Sequence, residues 1–380
     1  KDNGCRLVVV DPNFTETAQK ADEWVPIRPG TDGAMALAMC KVIIDEKLYD
    51  EEFVNAHCEG FNGFREHLNE KDYTPEWSEN ICGINAERIR RLAREFSTTK
   101  PAMSAIFKGS GYYTNGHDAA RSCYILDAIC GQVDKPGNIN LKDWAPLGVP
   151  VEIPEDAIRK PEKDPLHVAM GFALAPDLPN SKLPDAVIDG DPYPVKAWFV
   201  HSSNPVMSDP NRDRVQEMFK HLELAVSMEL YMTETALECD IVLPETSFHE
   251  QAEIRQGMWL GPEVVLCQPV VEPVGEAKPA YDIVKGIAEK MDWGEYFPYE
   301  KWEDWGEIAM KDVPMTLDEL KENGFWAGEV RFNRVPDGLP TPSGKIEIYS
   351  QDYENAGFNP YPEYVERSVI PDDEYPLQLT

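Results

Sequence analysis

Two aspartates that follow neighbouring predicted strands are the residues best suited to chemistry in this sequence. An apolar strand at residues 6–10 ends at Asp11, and after a short helical turn a second strand leads into a loop that ends at Asp32. Ligands of open α/β sheets bind beyond the carboxyl ends of the strands, where both carboxylates would lie. Carboxylates accept hydrogen bonds from a base or a ribose, and neighbouring backbone N–H groups suit phosphate oxygens. The pattern predicts a site for a nucleotide-containing ligand.

Glycine and polar residues also concentrate in three loops that follow predicted strands: residues 29–32, 108–116 and 201–205. A glycine lets the backbone approach a ligand closely, and a helix N-terminus favours an anion. Each loop alone has an ordinary interpretation, because Asp is common in turns and the Gly-x-Gly at 109–111 falls short of the dinucleotide fingerprint. His117 and His201 could donate protons, although a structural role is more common for such residues.

The elements that must position these loops alternate between strands and helices. Apolar periodicity predicts helices at 35–43, 85–96, 117–130, 210–221 and 282–291, and strands at 101–107, 197–201, 222–227 and 240–244. This alternation is typical of a doubly wound, Rossmann-like α/β fold. We expect two such dinucleotide-binding domains, both incomplete, at residues 1–145 and 196–370. A crossing segment at 146–195 would join them, and residues 371–380 would begin a further domain.

Composition excludes several classes of function. The 380 residues carry a formal net charge of −32, whereas a nucleic-acid partner requires clustered Lys and Arg, so none is expected. No apolar run approaches the ~20 residues of a membrane helix, so direct membrane insertion is not expected. The eight cysteines contain no Cys-x-x-Cys pair, which argues against a zinc site or an iron–sulfur cluster within this chain.

Five ordered blocks of the sequence are distinctive: VVVDPNFTETAQKADEWVPIRPGTDGAMALAM, VKAWFVHSSNPVMSDPN, MTETALECDIVLPETSFHEQ, VEPVGEAKPAYDI and TPSGKIEIYS. In content and order, the chain resembles the dimethyl-sulfoxide-reductase-type molybdopterin oxidoreductases over essentially its whole length. In that family, a molybdenum or tungsten ion is held by the dithiolenes of two molybdopterin guanine dinucleotides. Each dinucleotide lies at the strand ends of its own α/β domain.

The resemblance implies which residues hold the cofactor. One guanosine would contact Asp11, Asn13, Thr15, Gly30, Thr31 and Asp32, and Lys108, Gly109 and Tyr112 would approach the pyrophosphate and pterin. The second dinucleotide would contact Ser203, Asn204, Met228, Glu229, Thr233 and, as a weaker match, Gln251. Three positions depart from the family pattern: many relatives have Arg in place of Asn13, often Asp in place of Glu229, and commonly an acidic residue in place of Ala280.

The resemblance also implies an activity, namely two-electron redox chemistry or oxygen-atom transfer on a small-molecule substrate. An iron–sulfur electron-transfer subunit is the expected partner, and a [4Fe–4S] cluster is expected upstream of this chain. We expect the chain to be an internal fragment that holds no metal ligand and no catalytic residue, and that is inactive alone. The alternatives are an NAD(P)-dependent dehydrogenase, which should carry a full glycine fingerprint, or a non-catalytic nucleotide-binding module. The sequence defines neither the substrate nor the compartment.

Overall fold

The computed structural model describes residues 1–154, 163–258 and 261–377. Its strands are β1 Val8–Val10, β2 Glu23–Val25, β3 Cys58–Glu59, β4 Ala197–His201, β5 Leu224–Glu229, β6 Ile241–Pro244, β7 Glu253–Gln256, β8 Glu263–Cys267, β9 Phe325–Ala327 and β10 Ile346–Glu347. Its α-helices are α1 Glu16–Lys20, α2 Asp32–Asp45, α3 Glu51–His57, α4 Phe61–Glu70, α5 Pro75–Cys82, α6 Ala86–Thr98, α7 Lys108–Gly111, α8 Gly116–Ile129, α9 Leu166–Ala169, α10 Leu183–Asp189, α11 Pro205–Ser208, α12 Arg212–Phe219, α13 Glu234–Glu238, α14 Ala280–Lys290, α15 Trp302–Met310, α16 Leu317–Asn323 and α17 Gln351–Asn355.

The chain divides into two compact units, one of Lys1–Leu141 with Arg331–Thr380 and the other of Lys142–Val330. Residues 331–370 therefore group with the first unit, whereas the sequence assigned them to the second expected domain. The contacts that hold them there include the parallel pairing of β10 with β3 and an ion pair of 3.3 Å between Arg334 and the fully buried Asp134. The division into two cofactor-binding domains stays a prediction.

Helix α2 is the centre of the first unit. Its sequence, DGAMALAMCKVIID, is apolar on nearly every side, and a helix of that kind must be covered all round. It packs against α4, α5, α6 and α8. Gly33 permits the close approach of α8, because a Cβ there would lie only 3.1 Å from the Cα of Ala119. The surrounding core includes Leu37, Ile43, Phe64, Ile89 and Ile129.

The second unit contains a parallel sheet in the order β4-β5-β6 and an antiparallel sheet in the order β7-β8-β9. In the parallel sheet, His201 pairs with Met228 and Glu229 pairs with Pro244, so the three strands end at the same edge. Helix α12 covers one face through Met218 and Phe219, which pack with Trp198 and Ala225. The loops after β4 and β5 therefore emerge together.

Most predicted elements are present, and the mixed α/β content is confirmed. The prediction of a buried strand at 101–107 is wrong. This segment has no strand pairing among the described residues, and its side chains alternate between exposed and half-buried. Its Ser104 N–H bonds to the Asp127 carboxyl group on α8 instead of to another strand. The doubly wound, Rossmann-like description stays a prediction. In the described part of the chain, no helix has the length and apolarity needed to cross a membrane.

Candidate functional site

The turn after β1 fixes Asp11 at the end of the strand. Asp11 N–H donates to the Val25 carbonyl at 3.1 Å, which extends the pairing of β1 with β2. The Asp11 carboxylate accepts from Asn13 N–H at 2.8 Å, and Trp24 Nε1 donates to the Asp11 carbonyl at 2.8 Å. These contacts hold the Asp11 side chain half-buried, while Asn13 is exposed.

Two expected ligand residues use their hydroxyl groups to stabilise the local turns. Thr15 Oγ1 accepts from Ala18 N–H at 3.2 Å and so caps α1. Thr31 is buried, and its hydroxyl donates to the Arg28 carbonyl at 2.6 Å. Both threonines therefore shape the loops that carry Asp11 and Asp32.

Asp32 is the first residue of α2 and lies within electrostatic range of Asp11. Burial raises the pKa of Asp32, and the negative charge of Asp11 raises it further. No Lys or Arg of the described residues lowers it. Two neighbouring carboxylates without a cation form an acceptor site suited to the N–H groups of a ligand. Of the residues expected at the first site, Asp11 and Asp32 are brought together most clearly.

The loop at 108–116 lies beside the turn that precedes Asp32. Asn115 Nδ2 donates to the Gly30 carbonyl at 3.0 Å, and a Cβ on Gly30 would lie 3.1 Å from Cγ of Tyr113. Gly30 has a φ of +74°, which favours glycine.

The first part of this loop, residues 108–112, is largely exposed to solvent. Lys108–Gly111 forms the single turn α7, a Cβ on Gly109 would meet no atom within 4 Å, and Tyr112 is 74% exposed. Lys108 lies over the ring of Phe107 at 5.8 Å. Its ammonium forms no ion pair with either aspartate among the described residues.

Sequence reasoning missed Arg367 and Asn115. The Arg367 guanidinium lies 5.3 Å from the ring centre of Tyr113, and a Cβ on Gly30 would lie 2.9 Å from the Arg367 Cδ. Arg367 Nη1 and Asn115 Oδ1 are both buried without a hydrogen-bond partner among the described residues. Arg367 is remote in the sequence, and no local pattern marks it. Asn115 lies inside a loop that was noticed for its glycines.

In the second unit, Asn204 organises the loop after β4. Its Oδ1 accepts from Thr235 N–H at 3.2 Å and from the Thr235 hydroxyl at 2.8 Å. Its Nδ2 donates to Glu234 Oε2 at 2.8 Å. Asn204 therefore ties the β4 loop to the start of α13, and sequence reasoning missed Thr235 as its partner.

The remaining predicted residues of the second unit differ in their exposure and in their hydrogen bonds. Ser203 is exposed and Glu229 is half-buried, so both are accessible at the strand ends. Thr233 caps α13 by accepting from Ala236 N–H at 3.2 Å, and Gln251 Oε1 accepts from the Thr246 hydroxyl at 2.9 Å. Met228 is buried, with only 2% of the residue exposed, so it has almost no free surface in this fold.

The two histidines have partners inside their own units. His201 Nε2 lies 3.0 Å from Glu245 Oε2, and His117 Nε2 lies 2.7 Å from the Tyr353 hydroxyl. Burial lowers the pKa of His117, and the charge of Arg121 lowers it further. These contacts favour the structural interpretation of both histidines.

No cluster of three His, Cys, Asp or Glu residues that could hold a metal occurs among residues 1–154, 163–258 and 261–377. Polar groups gather instead in the loops after β1, β2, β4 and β5, and exposed glycine backbone occurs at Gly109 in the loop 108–116. Fold and loops together define a mixed α/β protein with polar strand-end loops in each unit.

Comparison with known proteins identifies the family. The family model described as "Molybdopterin oxidoreductase" matches residues 1–290, so the chain belongs to the molybdopterin oxidoreductase family. The resemblance seen in the sequence is confirmed. Membership implies a molybdopterin cofactor with molybdenum or tungsten, and the expectation of a molybdopterin-dependent oxidoreductase is confirmed for the family.

Comparisons with individual relatives support the same family assignment. The chain is 32% identical to acetylene hydratase of Syntrophotalea acetylenica, over 99% of this chain and 56% of the relative. It is 29% identical to the thiosulfate reductase molybdopterin-containing subunit PhsA of Salmonella typhimurium, over 93% of this chain and 52% of the relative. The solved structure of acetylene hydratase from Pelobacter acetylenicus matches with a TM-score of 0.81 and 30% identity, over 96% of this chain and 54% of that one. The chain spans about half the length of these relatives.

Proposed function

We propose that the chain binds two molybdopterin guanine dinucleotides, one at the strand-end loops of each unit. The observation that carries the proposal is that Asp11 lies within electrostatic range of the largely buried Asp32, and that no cation of the described residues lowers the pKa of Asp32. Guanine presents adjacent N–H donors on one edge, which carboxylates accept, whereas the same edge of adenine does not. In the first unit, Asp11 and Asp32 would hold the base and ribose, together with the backbone of Asn13, Thr15, Gly30 and Thr31.

The chemistry of the surrounding residues fits the rest of this dinucleotide. The open backbone at Gly109 suits a diphosphate, and Lys108 and Tyr112 are exposed beside it. Next to Gly30, Arg367 Nη1 is a buried donor that finds no partner among the described residues, so an acceptor oxygen of the ligand would satisfy it. A chain with a net charge of −32 can thus bind a polyanion by means of local donors.

The second dinucleotide would use the strand-end loops of the second unit. Glu229 supplies the carboxylate for the base, and Ser203 and Thr233 lie in the two loops that flank it. Asn204 would act mainly by holding the β4 loop against Thr235, and Met228 has little exposed surface for a ligand to contact. Gln251 is the weakest member of this site.

For the complete protein we infer two-electron redox chemistry or oxygen-atom transfer on a small molecule. The bound metal would supply that chemistry, and this chain would bind and orient the cofactor. Family membership supports the redox step, and the word "subunit" in the description of one relative supports a partner chain, for which an iron–sulfur electron-transfer subunit is our proposal. A [4Fe–4S] cluster upstream and inactivity of the isolated chain belong to the same proposal.

Hydration is a second candidate reaction, favoured by the likeness to acetylene hydratase. The two candidates differ in electron balance, because hydration transfers no electrons to or from an external carrier. The complete protein would be assayed with a reduced or oxidised dye as the electron carrier, and separately for water addition to acetylene. Dye turnover supports the first reaction, and acetaldehyde formation without dye turnover supports the second.

Nucleotide titration tests the binding proposal. We expect calorimetry to show two GDP sites per chain, with no comparable binding of ADP or NADH. Asp32→Asn should remove or weaken one site at least about tenfold, because hydrogen bonds to a charged partner are worth about 1.5–3 kcal/mol. Glu229→Gln should affect the other site.

The matched control is Asp45→Asn at the far end of α2, which should leave both sites intact. Equal binding of ADP and GDP would contradict guanine recognition. Tight binding of NADH would favour the dehydrogenase alternative.

A further inference from the structure

Asp127 is a fully buried carboxyl group on α8 that no cation of the described residues neutralises. Its Oδ1 accepts from Ser104 N–H at 2.9 Å, and its Oδ2 contacts the Ser104 hydroxyl. An ionised carboxylate is costly to bury unless a cation or several donors compensate it. Among the described residues, the Asp127 carboxyl group accepts hydrogen bonds only from Ser104 and from its own backbone N–H.

A count of protons shows which form of Asp127 satisfies these contacts. The Ser104 hydroxyl lies beside two acceptors, Asp127 Oδ2 and, at 3.1 Å, the Cys123 carbonyl. A hydroxyl has one proton to donate, so with an ionised Asp127 it can serve only one of them. With a protonated Asp127, the carboxylic O–H donates to Ser104 Oγ, and Ser104 donates to Cys123. Only the protonated form satisfies the whole chain of contacts.

The neighbours of Asp127 provide no alternative compensation. The titratable groups that face it are the thiols of Cys40 on α2 and of Cys123 and Cys130 on α8, and the charges next beyond them are Asp32, Asp50 and Lys100. Burial raises the pKa of Cys123 and of Cys130 to about 12 and that of Cys40 well above its ordinary value, so the thiols are neutral. Lys100 is paired with Asp50 at 3.2 Å. Burial also raises the pKa of Asp127 to about 7, despite the hydrogen bonds from Ser104.

The segment that Asp127 holds has few other attachments. Residues 102–107 are extended without strand pairing in the described part of the chain. Ala102 N–H donates to Gln132 Oε1 at 3.2 Å, and Ser104 bonds to Asp127. From Ser104 the segment runs directly to Lys108. We propose that Asp127 is a positioning residue that stays protonated in the fold, latches residues 102–107 to α8, and releases them as the pH rises.

The latch itself does not depend on any cofactor. On the function proposed above, this contact would also position part of the cofactor site, because residues 102–107 lead into Lys108, Gly109 and Tyr112. Retention of the pyrophosphate and pterin by this loop would then weaken above neutral pH. That link rests on the proposed function, so the test below uses the cofactor-free chain and the latch alone.

Hydrogen exchange of backbone amides tests the latch. When 102–107 opens, Asp127 meets water and ionises, so the opening equilibrium should rise about tenfold per pH unit between about pH 4 and 7 and then level off. After correction for intrinsic exchange rates, protection at 102–107 should therefore fall about fivefold from pH 6 to pH 7 and about twofold more by pH 9. In Asp127→Asn, whose amide can donate to Ser104 Oγ, protection should persist and be independent of pH.

Asp45→Asn, an exposed carboxylate on α2, is the matched control and should keep the pH dependence of the parent chain. Protection at 102–107 that does not change with pH in the parent, or the same change in Asp127→Asn, would overturn the proposal. If Asp127→Asn does not fold, infrared spectroscopy of the parent chain shows whether the Asp127 carboxyl group is protonated. A protonated carboxylic acid band that shifts in Ser104→Ala and disappears above neutral pH supports the latch, and the lack of such a band overturns it.

Discussion

Asp32 is largely buried at the start of the first unit, and it lies close enough to Asp11 for the charge of Asp11 to add to the effect of burial. Both raise the pKa of Asp32. A carboxyl group placed in this way favours a ligand that donates hydrogen bonds, and in the ligand-free chain its ionised form destabilises the fold. The first prediction follows from the upward direction of the Asp32 pKa shift.

Because the pKa of Asp32 is raised on folding, the folded chain binds the proton more tightly than the unfolded chain. The contribution of Asp32 to stability is therefore present below its ordinary pKa of 3.8 and is lost as the pH rises through the raised value. We expect Asp32→Asn to be at least as stable as the parent at pH 7, with a smaller fall in stability between pH 4 and pH 7. Urea unfolding at several pH values measures this. A variant clearly less stable than the parent at pH 7 would contradict it.

Gly30→Ala is expected to destabilise the first unit by about 1–3 kcal/mol. The φ of +74° is unfavourable for alanine, and the new Cβ would lie 2.9 Å from Arg367 Cδ and 3.1 Å from Tyr113 Cγ. Thermal unfolding gives the magnitude. Gly109→Ala is the matched control, since its Cβ would meet nothing within 4 Å, and it should change stability little. Equal losses in the two variants would mean that crowding at Gly30 has no effect.

The sequence predicted the elements that depend on local patterning and missed contacts that join distant segments. The helix α2 was recognisable from its apolar residues after Asp32, and β4, β5 and β6 from short apolar runs. The predicted strand at 101–107 has the composition of a strand, but its pairing depends on neighbours that local sequence does not reveal. Arg367 reaches Gly30 only through the fold of the whole unit, so no periodicity could mark it. The family resemblance supplied the site residues, and it could not show that the Met228 side chain is buried or that Thr31 bonds inward.

Asn204→Ala is expected to destabilise the second unit by about 1–3 kcal/mol. The substitution leaves Thr235 N–H and the Thr235 hydroxyl without their shared acceptor. Chemical denaturation monitored by tryptophan fluorescence measures the loss, and Asn180→Ala in the same unit serves as a control.

Asn204→Asp separates the role of the Asn204 oxygen, which accepts from Thr235, from that of the amide nitrogen, which donates to Glu234. The new carboxylate still accepts from Thr235, but it replaces the amide that donates to Glu234 Oε2 at 2.8 Å and so places two negative charges together. We expect this variant to be less stable than the parent at pH 7 and to recover near pH 4, where carboxylates become protonated. A loss that is the same at both pH values would argue against repulsion from Glu234.

Arg367→Met tests whether the orphaned donor in the first unit serves a ligand. Arg367 Nη1 is buried and has no partner in the described part of the chain, and the guanidinium lies over the Tyr113 ring at 5.3 Å. Methionine keeps much of the side-chain volume and can still contact the tyrosine, while it removes a buried donor that contributes nothing when unpaired. Stability should therefore change by less than about 1 kcal/mol, whereas GDP binding at the first site should weaken about tenfold or more. Calorimetry should show the second site unchanged, and Arg255→Met on β7 is the matched control, because Arg255 is exposed and pairs with Glu253. Unaltered GDP affinity in Arg367→Met would assign the arginine to packing against Tyr113 alone.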